Sequence, residues 1–368
     1  MKNSPEMSLT DKYLEYISAI HRYSPRTTEI YSDVLKDFTE FAKGGDGSQG
    51  NMTDEEITES LTPLMIRGYE MHLIEDKELN PATVNMHISV LSGFCRFLLK
   101  KGIITSNPAK TVLRPKQEKR LPVFYRKDDM NGYFRKSDIF AGEETAPSPG
   151  RFMEMYLQDR SSPGYRPEND PVYSQMSKLS DKPEKFAAWL FGKRLKRVIV
   201  ATLYATGIRR AELVSLKRSS IDFNRRIMKV TGKGDKTREI PIVPSLCKEI
   251  SLYLQAVEAT VCENQGWDSP LFVTSKGKAI YPEYADRAVK SELGEAEGFT
   301  ARKSPHVLRH TLATELLEDG TDLNSIKELL GHSSLAATQV YTHNTIAKLK
   351  KVYETAHPRA KSGGKHGD

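Results

Sequence analysis

The chain has 368 residues, of which 38% are hydrophobic, and its formal net charge is +7. This length predicts about two domains, and the positive charge suits a polyanionic partner such as nucleic acid, although charge alone identifies no partner. The cysteines Cys95, Cys247 and Cys262 lie far apart without metal-ligand spacing, which excludes a cysteine metal cluster and predicts reduced thiols. No apolar run reaches membrane-spanning length and the polar start is unlike a signal peptide, so we expect a soluble intracellular protein without membrane contact.

The first part of the chain is predicted to be an all-α domain. Ser24-Pro25, Thr62-Pro63 and Asn80-Pro81 each place a capping residue before a proline, which favours the start of a helix. Apolar residues recur at helical spacing after the first and third of these pairs. Together with an apolar opening segment, these patterns predict four amphipathic helices within residues 1–110.

Two segments that follow are predicted to lack regular structure. Residues 111–122 are basic and contain prolines, which predicts an extended linker, either crossing a DNA backbone or acting as a solvated hinge. Residues 137–183 contain several Pro/Gly/Ser clusters, which are typical of loops. We therefore expect 137–183 to be a loop-rich insertion that is mobile rather than folded.

The rest of the chain is predicted to be mostly α with a small antiparallel sheet. Helical patterns begin near Lys185 and extend over 305–318 and 323–330. Strands are predicted at 227–230 and 238–242, joined by a turn that contains Lys233, with 271–273 as a third strand. The expected fold class is mainly α, with an all-α first domain and an α+β second domain over 123–368.

Cationic residues in the second domain occur in short motifs. Arg209 follows Gly207 near the start of a helix, whose dipole adds to the positive field, although a surface ion pair with Glu212 is the alternative. His306 and Arg309 are three residues apart and share one helix face, whereas the adjacent His310 is expected to serve packing or support. A guanidinium group is always charged and can bind two phosphate oxygens at once.

A tyrosine close to the C-terminus is a candidate nucleophile. Tyr341 stands nine residues after Gly331-His332 and is followed by Thr342-His343. Its apolar neighbours are more typical of a core tyrosine. A phenol, with a pKa near 10, is largely protonated at neutral pH, so a nucleophilic tyrosine needs cations that favour the phenolate.

Taken together, these motifs resemble the tyrosine site-specific recombinases of the phage integrase family. The N-terminal block around Asn80-Pro81-Ala82-Thr83 and the tail over 347–360 most resemble the Xer group, and the likeness covers residues 9–136 and 190–360. It implies a helical, SAM-like core-binding DNA-binding domain over 1–110 and a catalytic domain over 123–368. It also implies six catalytic residues: Arg209, Lys233, His306, Arg309, His332 and Tyr341.

The reaction implied by this resemblance is transesterification of DNA. Tyr341 would attack a phosphate, form a 3′-phosphotyrosyl link and release a 5′-hydroxyl, with Lys233 (or its neighbour Lys236) as general acid and His332 hydrogen-bonded to the phosphate. Bond energy is conserved, so neither a metal nor another cofactor is expected. The absence of a Walker motif and of clustered carboxylates agrees with that.

The resemblance also implies partners and competing roles. The expected partners are double-stranded DNA, a homo- or hetero-tetramer on two DNA sites, a paired second recombinase and a septal DNA translocase, in the cytoplasm at the nucleoid. Resolution of chromosome dimers is the favoured role. Recombination of a mobile or invertible element is the first alternative, and a DNA-binding protein without catalysis is the second. The helical first domain and the Xer-like tail disfavour a topoisomerase.

Overall fold

The protein divides into two compact units, Met1–Arg120 and Leu121–Asp368. This computed structural model describes residues 7–44, 52–116, 123–160, 164–232, 235–261, 266–296, 298–300 and 302–331. Helices dominate both units and the second unit contains one small antiparallel sheet, so the predicted fold class is confirmed. Part of the predicted linker, residues 117–122, lies outside the described residues.

The first unit is all-α. Its described residues form five α-helices: α1 Leu9–Ala19, α2 Pro25–Ala42, α3 Asp54–Ser60, α4 Pro63–Glu75 and α5 Pro81–Lys100. The starts predicted at Ser24, Thr62 and Asn80 are confirmed, because each of these side chains accepts hydrogen bonds from the first turn of its helix. Helix α3 was not predicted from the sequence. It begins with a reciprocal capping box between Thr53 and Glu56.

Helix α5 forms the centre of this unit. Its Ile88, Leu91 and Leu98 are fully buried and pack in one cluster with Phe38 and Tyr69. By length and mean hydropathy (1.2) alone, α5 is the one helix among the described residues that could cross a membrane. In the sequence, polar residues interrupt the apolar run of α5. Its burial among the other helices identifies it as a core helix.

The second unit is built around one long helix. Its described elements are, in chain order, α6 Lys127–Lys136, α7 Pro149–Asp159, α8 Pro171–Ser177, α9 Pro183–Thr206, α10 Arg210–Ser215, β1 Ile221–Asp222, β2 Ile227–Thr231, β3 Thr237–Pro241, α11 Pro244–Thr260, α12 Pro282–Gly294, α13 Pro305–Glu318 and α14 Leu323–Leu330. Helix α9 packs against α11, α12 and α13. Its last two turns are buried throughout, so α9 fixes the position of the residues that follow it.

The sheet has the strand order β1-β2-β3 and is antiparallel throughout. The predicted hairpin is confirmed, with Met228 opposite Ile240. The predicted third strand over 271–273 is wrong: the third strand is β1, and Val273 forms only an isolated bridge with Ala279. Residues 271–273 are buried because they pack into the core cluster, and burial alone does not require a sheet ladder.

Residues 137–183 differ from the loop-rich insertion that the sequence predicts. They contain α7 and α8, which share an apolar cluster with the start of α9; its members are Phe140, Phe152, Tyr156, Met176, Phe186 and Leu190. One of the prolines in these clusters, Pro149, stands at the first position of α7, and Pro171 and Pro183 likewise begin α8 and α9. From α9, Arg194 donates to the carbonyl of Gly142 (3.1 Å) and Arg197 to the carboxylate of Asp138 (2.9 Å). These bonds attach the segment to α9.

If 137–183 has its own core, deleting one of the buried rings should destabilise it. Phe152 is 1% exposed, and Trp189 packs against the same cluster. In a Trp267→Phe background, which leaves Trp189 as the only tryptophan, we expect Phe152→Ala to lower the free energy of unfolding by about 3–5 kcal/mol. The measurement is urea unfolding followed by Trp189 fluorescence.

The matched control is Phe223→Ala, because Phe223 is 40% exposed. We expect this substitution to change the free energy of unfolding by no more than about 0.5 kcal/mol. Equal effects of the two substitutions would show that the segment does not form the described core.

Candidate active site

The C-terminal end of α14 is surrounded by arginine side chains. Helix ends leave carbonyl groups without partners in the helix and carry partial negative charge, so cationic donors stabilise them. Three consecutive carbonyls are capped in this way, by Arg238 Nε to Leu329 O (3.3 Å), Arg309 Nη2 to Leu330 O (2.6 Å) and Arg209 Nη2 to Gly331 O (2.9 Å). The three arginines come from β3, from α13 and from the residue that precedes α10.

Glycines in the left-handed conformation end both α9 and α14. Gly207 has φ 60° and Gly331 has φ 63°, the conformation in which glycine commonly ends a helix. The Gly207 carbonyl accepts a hydrogen bond from Arg309 Nη1. A Cβ atom on Gly207 would lie 2.6 Å from Leu330 Cδ2. The close approach of these two helix ends therefore depends on glycine at 207, two residues before Arg209.

The Glu212 carboxylate joins two of the arginines. It is 3% exposed and accepts hydrogen bonds from both terminal nitrogens of Arg238 (2.9 Å each) and from Arg209 Nη1 (2.9 Å). The Arg209 backbone N–H also donates to it (2.7 Å), which caps the start of α10. Burial acts to raise the pKa of Glu212, but the hydrogen bonds from Arg238 and Arg209 outweigh it and hold that pKa below its usual value.

Arg209 therefore makes the i,i+3 ion pair with Glu212 that the sequence analysis treats as the alternative to a site role. Arg209 nevertheless differs from an ordinary surface arginine, because its guanidinium also donates a hydrogen bond to the Gly331 carbonyl at the end of α14. Its side chain remains 40% exposed. Arg209 is thus oriented by the protein and still accessible to a ligand.

Helix α13 contributes Arg309 and His306 from successive turns. Arg309 is 7% exposed, and burial, followed by the nearby charge of Arg209, lowers the pKa of its guanidinium to about 10, so it remains cationic at neutral pH. Burial and the charges of His310, Arg210 and Arg309 lower the pKa of His306 below its ordinary value, so its imidazole is neutral at pH 7. Of the two roles expected for His310, packing or support, packing is wrong, because that residue is exposed.

The structure brings together Arg209 and Arg309, and it places His306 one turn before Arg309 on α13. The other candidates Lys233, His332 and Tyr341 lie outside the described residues. Glu212 and Arg238 were not identified as site residues from the sequence. The sequence signal that could have identified Arg238 is the alternation of residues along β3, which puts Arg238 on the inward face with the buried Ile240.

Two guanidinium groups and a neutral imidazole form a site suited to a phosphate or another oxyanion. The guanidinium groups supply fixed positive charge and paired donors, and a neutral imidazole offers both a donor and an acceptor. Within the described ranges, no group of three or more His, Cys, Asp or Glu residues has the arrangement of a metal site.

Sequence comparison matches this chain to the phage integrase family and to proteins named tyrosine recombinase. The model of the phage integrase family matches residues 174–348. A protein named tyrosine recombinase XerC from Chlorobaculum tepidum is 30% identical over 353 residues, which cover 95% of this chain and 94% of that protein. The protein of the same name from Bacillus licheniformis is 31% identical, over 95% of this chain and 96% of its own.

Solved structures with a similar fold include a transposon integrase and a site-specific recombinase. The Tn1549 transposon integrase, in complex with transposon right end DNA, has a TM-score of 0.57 and 16% identity, covering 97% of this chain and 98% of its own. The XerH site-specific recombinase bound to its difH substrate has a TM-score of 0.55 and 16% identity, covering 97% and 85%. At this identity the likeness shows the fold.

A side chain at Gly207 should disturb the contact between α9 and α14. We expect Gly207→Ala to destabilise the second unit by about 1 kcal/mol for the left-handed backbone and by about 1–3 kcal/mol more for the clash with Leu330. Gly320→Ala is the matched control, because Gly320 also has a positive φ (83°) but a Cβ there would meet nothing within 4 Å. Urea unfolding of both variants measures the difference, and equal losses would contradict the close approach.

Proposed function

The chain belongs to the tyrosine recombinase family, and from this we propose that it is a site-specific DNA recombinase whose role is Xer-type resolution of chromosome dimers. The observation that carries the proposal is the pair of guanidinium groups, Arg209 and Arg309, held on adjacent carbonyls at the end of α14. A phosphodiester gains negative charge as its phosphorus is attacked. Two fixed cations with forked donors stabilise that charge without a metal.

In the proposed reaction, Tyr341 attacks a DNA phosphate that Arg209 and Arg309 bind. The neutral imidazole of His306 has a lone pair available for the phenol proton. A 3′-phosphotyrosyl bond forms as the bond to the 5′-oxygen breaks, and Lys233 protonates the leaving oxygen. His332 hydrogen-bonds the phosphate. A 5′-hydroxyl from another strand then attacks the phosphotyrosine, releases Tyr341 and leaves a recombined strand.

The proposed domain organisation follows from membership of the tyrosine recombinase family. Residues 1–110 would bind DNA as the helical core-binding domain, 111–122 would link the domains, and 123–368 would form the catalytic domain. The net charge of +7 suits contact with DNA phosphates, so binding should weaken as the salt concentration rises. We expect the protein in the cytoplasm, associated with the nucleoid.

The proposed assembly is a tetramer on two DNA sites, formed by this chain alone or with a paired second recombinase. A structure of the lambda integrase, with a TM-score of 0.52 to this chain, is a tetramer bound to a Holliday junction, and it supports that proposal by analogy. Xer-type dimer resolution would add a septal DNA translocase as the activating partner.

A second candidate is recombination of a mobile element. One observation favours it: the Tn1549 transposon integrase, at a TM-score of 0.57, matches this fold as well as the XerH recombinase does, at 0.55. The chemistry would be the same in both cases. The DNA site that is cleaved would distinguish the two roles.

The nucleophile can be tested with a nicked DNA substrate that traps the covalent intermediate. We expect the protein to form a covalent DNA adduct in the presence of a chelator, and Tyr341→Phe to form none, because phenylalanine lacks the attacking oxygen. Gel electrophoresis under denaturing conditions detects the adduct. The matched control is Tyr353→Phe, which removes a tyrosine hydroxyl twelve residues later and should leave the adduct in place.

The sequence of the trapping substrate separates the two roles. An adduct on the host's chromosomal dimer-resolution site supports the Xer role. An adduct only on the ends of an adjacent genetic element would favour the mobile-element role. Binding without an adduct on either DNA, or an adduct that survives Tyr341→Phe, would contradict the proposed reaction.

A further inference from the structure

Arg238 occupies a central position that the proposed reaction does not use. It is 8% exposed and lies on β3, which follows Lys233 in the sequence. Both of its terminal nitrogens donate to Glu212, and its Nε donates to the Leu329 carbonyl at 3.3 Å. One buried guanidinium group therefore contacts the start of α10 and the end of α14 together.

Two glycines pack closely against this ion pair. A Cβ atom on Gly331 would lie 3.0 Å from Arg238 Cζ and Nη1, so the glycine backbone lies directly against the guanidinium. A Cβ atom on Gly232 would lie 3.2 Å from Glu212 Oε1 and 3.8 Å from Arg238 Nη1. Gly331 immediately precedes His332 in the sequence, and Gly232 immediately precedes Lys233. The ion pair thus contacts the chain directly before two of the proposed catalytic residues.

The same contacts determine how charge is distributed in the site. The buried Glu212 carboxylate faces three cations: Arg209 beside it, Arg238 from β3 and Arg309 from α13. Arg238 makes two of the hydrogen bonds to this carboxylate, against one from the Arg209 side chain. With Glu212 neutralised by Arg238, the positive charge of Arg209 and Arg309 remains for a phosphate. Without Arg238, the carboxylate, which already accepts a hydrogen bond from Arg209 at 2.9 Å, would hold that guanidinium more tightly.

We propose that Arg238 is a positioning residue for DNA cleavage: it neutralises Glu212, so that Arg209 is directed at the scissile phosphate, and it supports the segments that precede Lys233 and His332. This inference rests on the proposed function. Arg238 acts through these neighbours and does not itself contact the substrate.

The test compares single-turnover cleavage of the nicked substrate at saturating DNA in four proteins: wild type, Arg238→Met, Glu212→Gln and the double variant. We expect Arg238→Met to slow cleavage by about 10²-fold, because a displaced catalytic group has an effect of that size, while the Kd for DNA changes little. The double variant should cleave faster than Arg238→Met alone, because glutamine leaves no carboxylate charge to capture Arg209.

A purely structural role for Arg238 predicts a different pattern. Cleavage would then follow the loss of stability, so urea unfolding is measured for every variant, and Gly320→Ala serves as a destabilised control outside the site. Cleavage by Arg238→Met at the wild-type rate would overturn the inference. So would a double variant no faster than Arg238→Met. If wild type itself forms no adduct, the proposed function fails instead, and the two failures are distinguishable.

Discussion

The carbonyl oxygens at the end of α14 need hydrogen-bond donors that their own helix cannot supply. Leu329 and Leu330 are buried, and leaving a buried carbonyl without a hydrogen bond lowers the free energy of unfolding by about 1–3 kcal/mol. Arginines from three separate elements meet this need and converge on one helix end. Because all three arginines cap the same helix end, their positive charges lie close together, as the proposed phosphoryl-transfer site requires. Glycines at both helix ends permit the approach.

In the proposed reaction, this arrangement couples stability to catalysis through a balance of charge. Glu212 brings one buried negative charge among three arginines, and its hydrogen bonds keep it ionised. The guanidinium groups are therefore oriented before any substrate binds. Since no reorganisation is then needed when charge develops on the phosphate, such preorganisation is an effective form of electrostatic stabilisation. The neutral His306 on the same helix as Arg309 adds a group able to move a proton.

Features encoded by local sequence were the ones that could be predicted. The helix starts at Ser24 and Asn80 and the hairpin β2-β3 depend on capping and alternation within a few residues. The buried bonds of Arg238 could not be predicted in this way, because they join residues 26 and 91 positions apart. Residues 137–183 were predicted to be loops because they contain prolines. Proline can either interrupt a helix or stand at its first position. The shared apolar cluster, which is not evident from the sequence, shows that this segment forms helices with a core.

The most direct test of this account is a structure of the Tyr341→Phe protein bound to uncleaved site DNA. The account predicts one phosphate within hydrogen-bond distance of both Arg209 and Arg309, whose bonds to the carbonyls of Gly331 and Leu330 persist. A phosphate backbone bound elsewhere would contradict it. So would a complex in which the two arginines leave the end of α14 to reach the DNA.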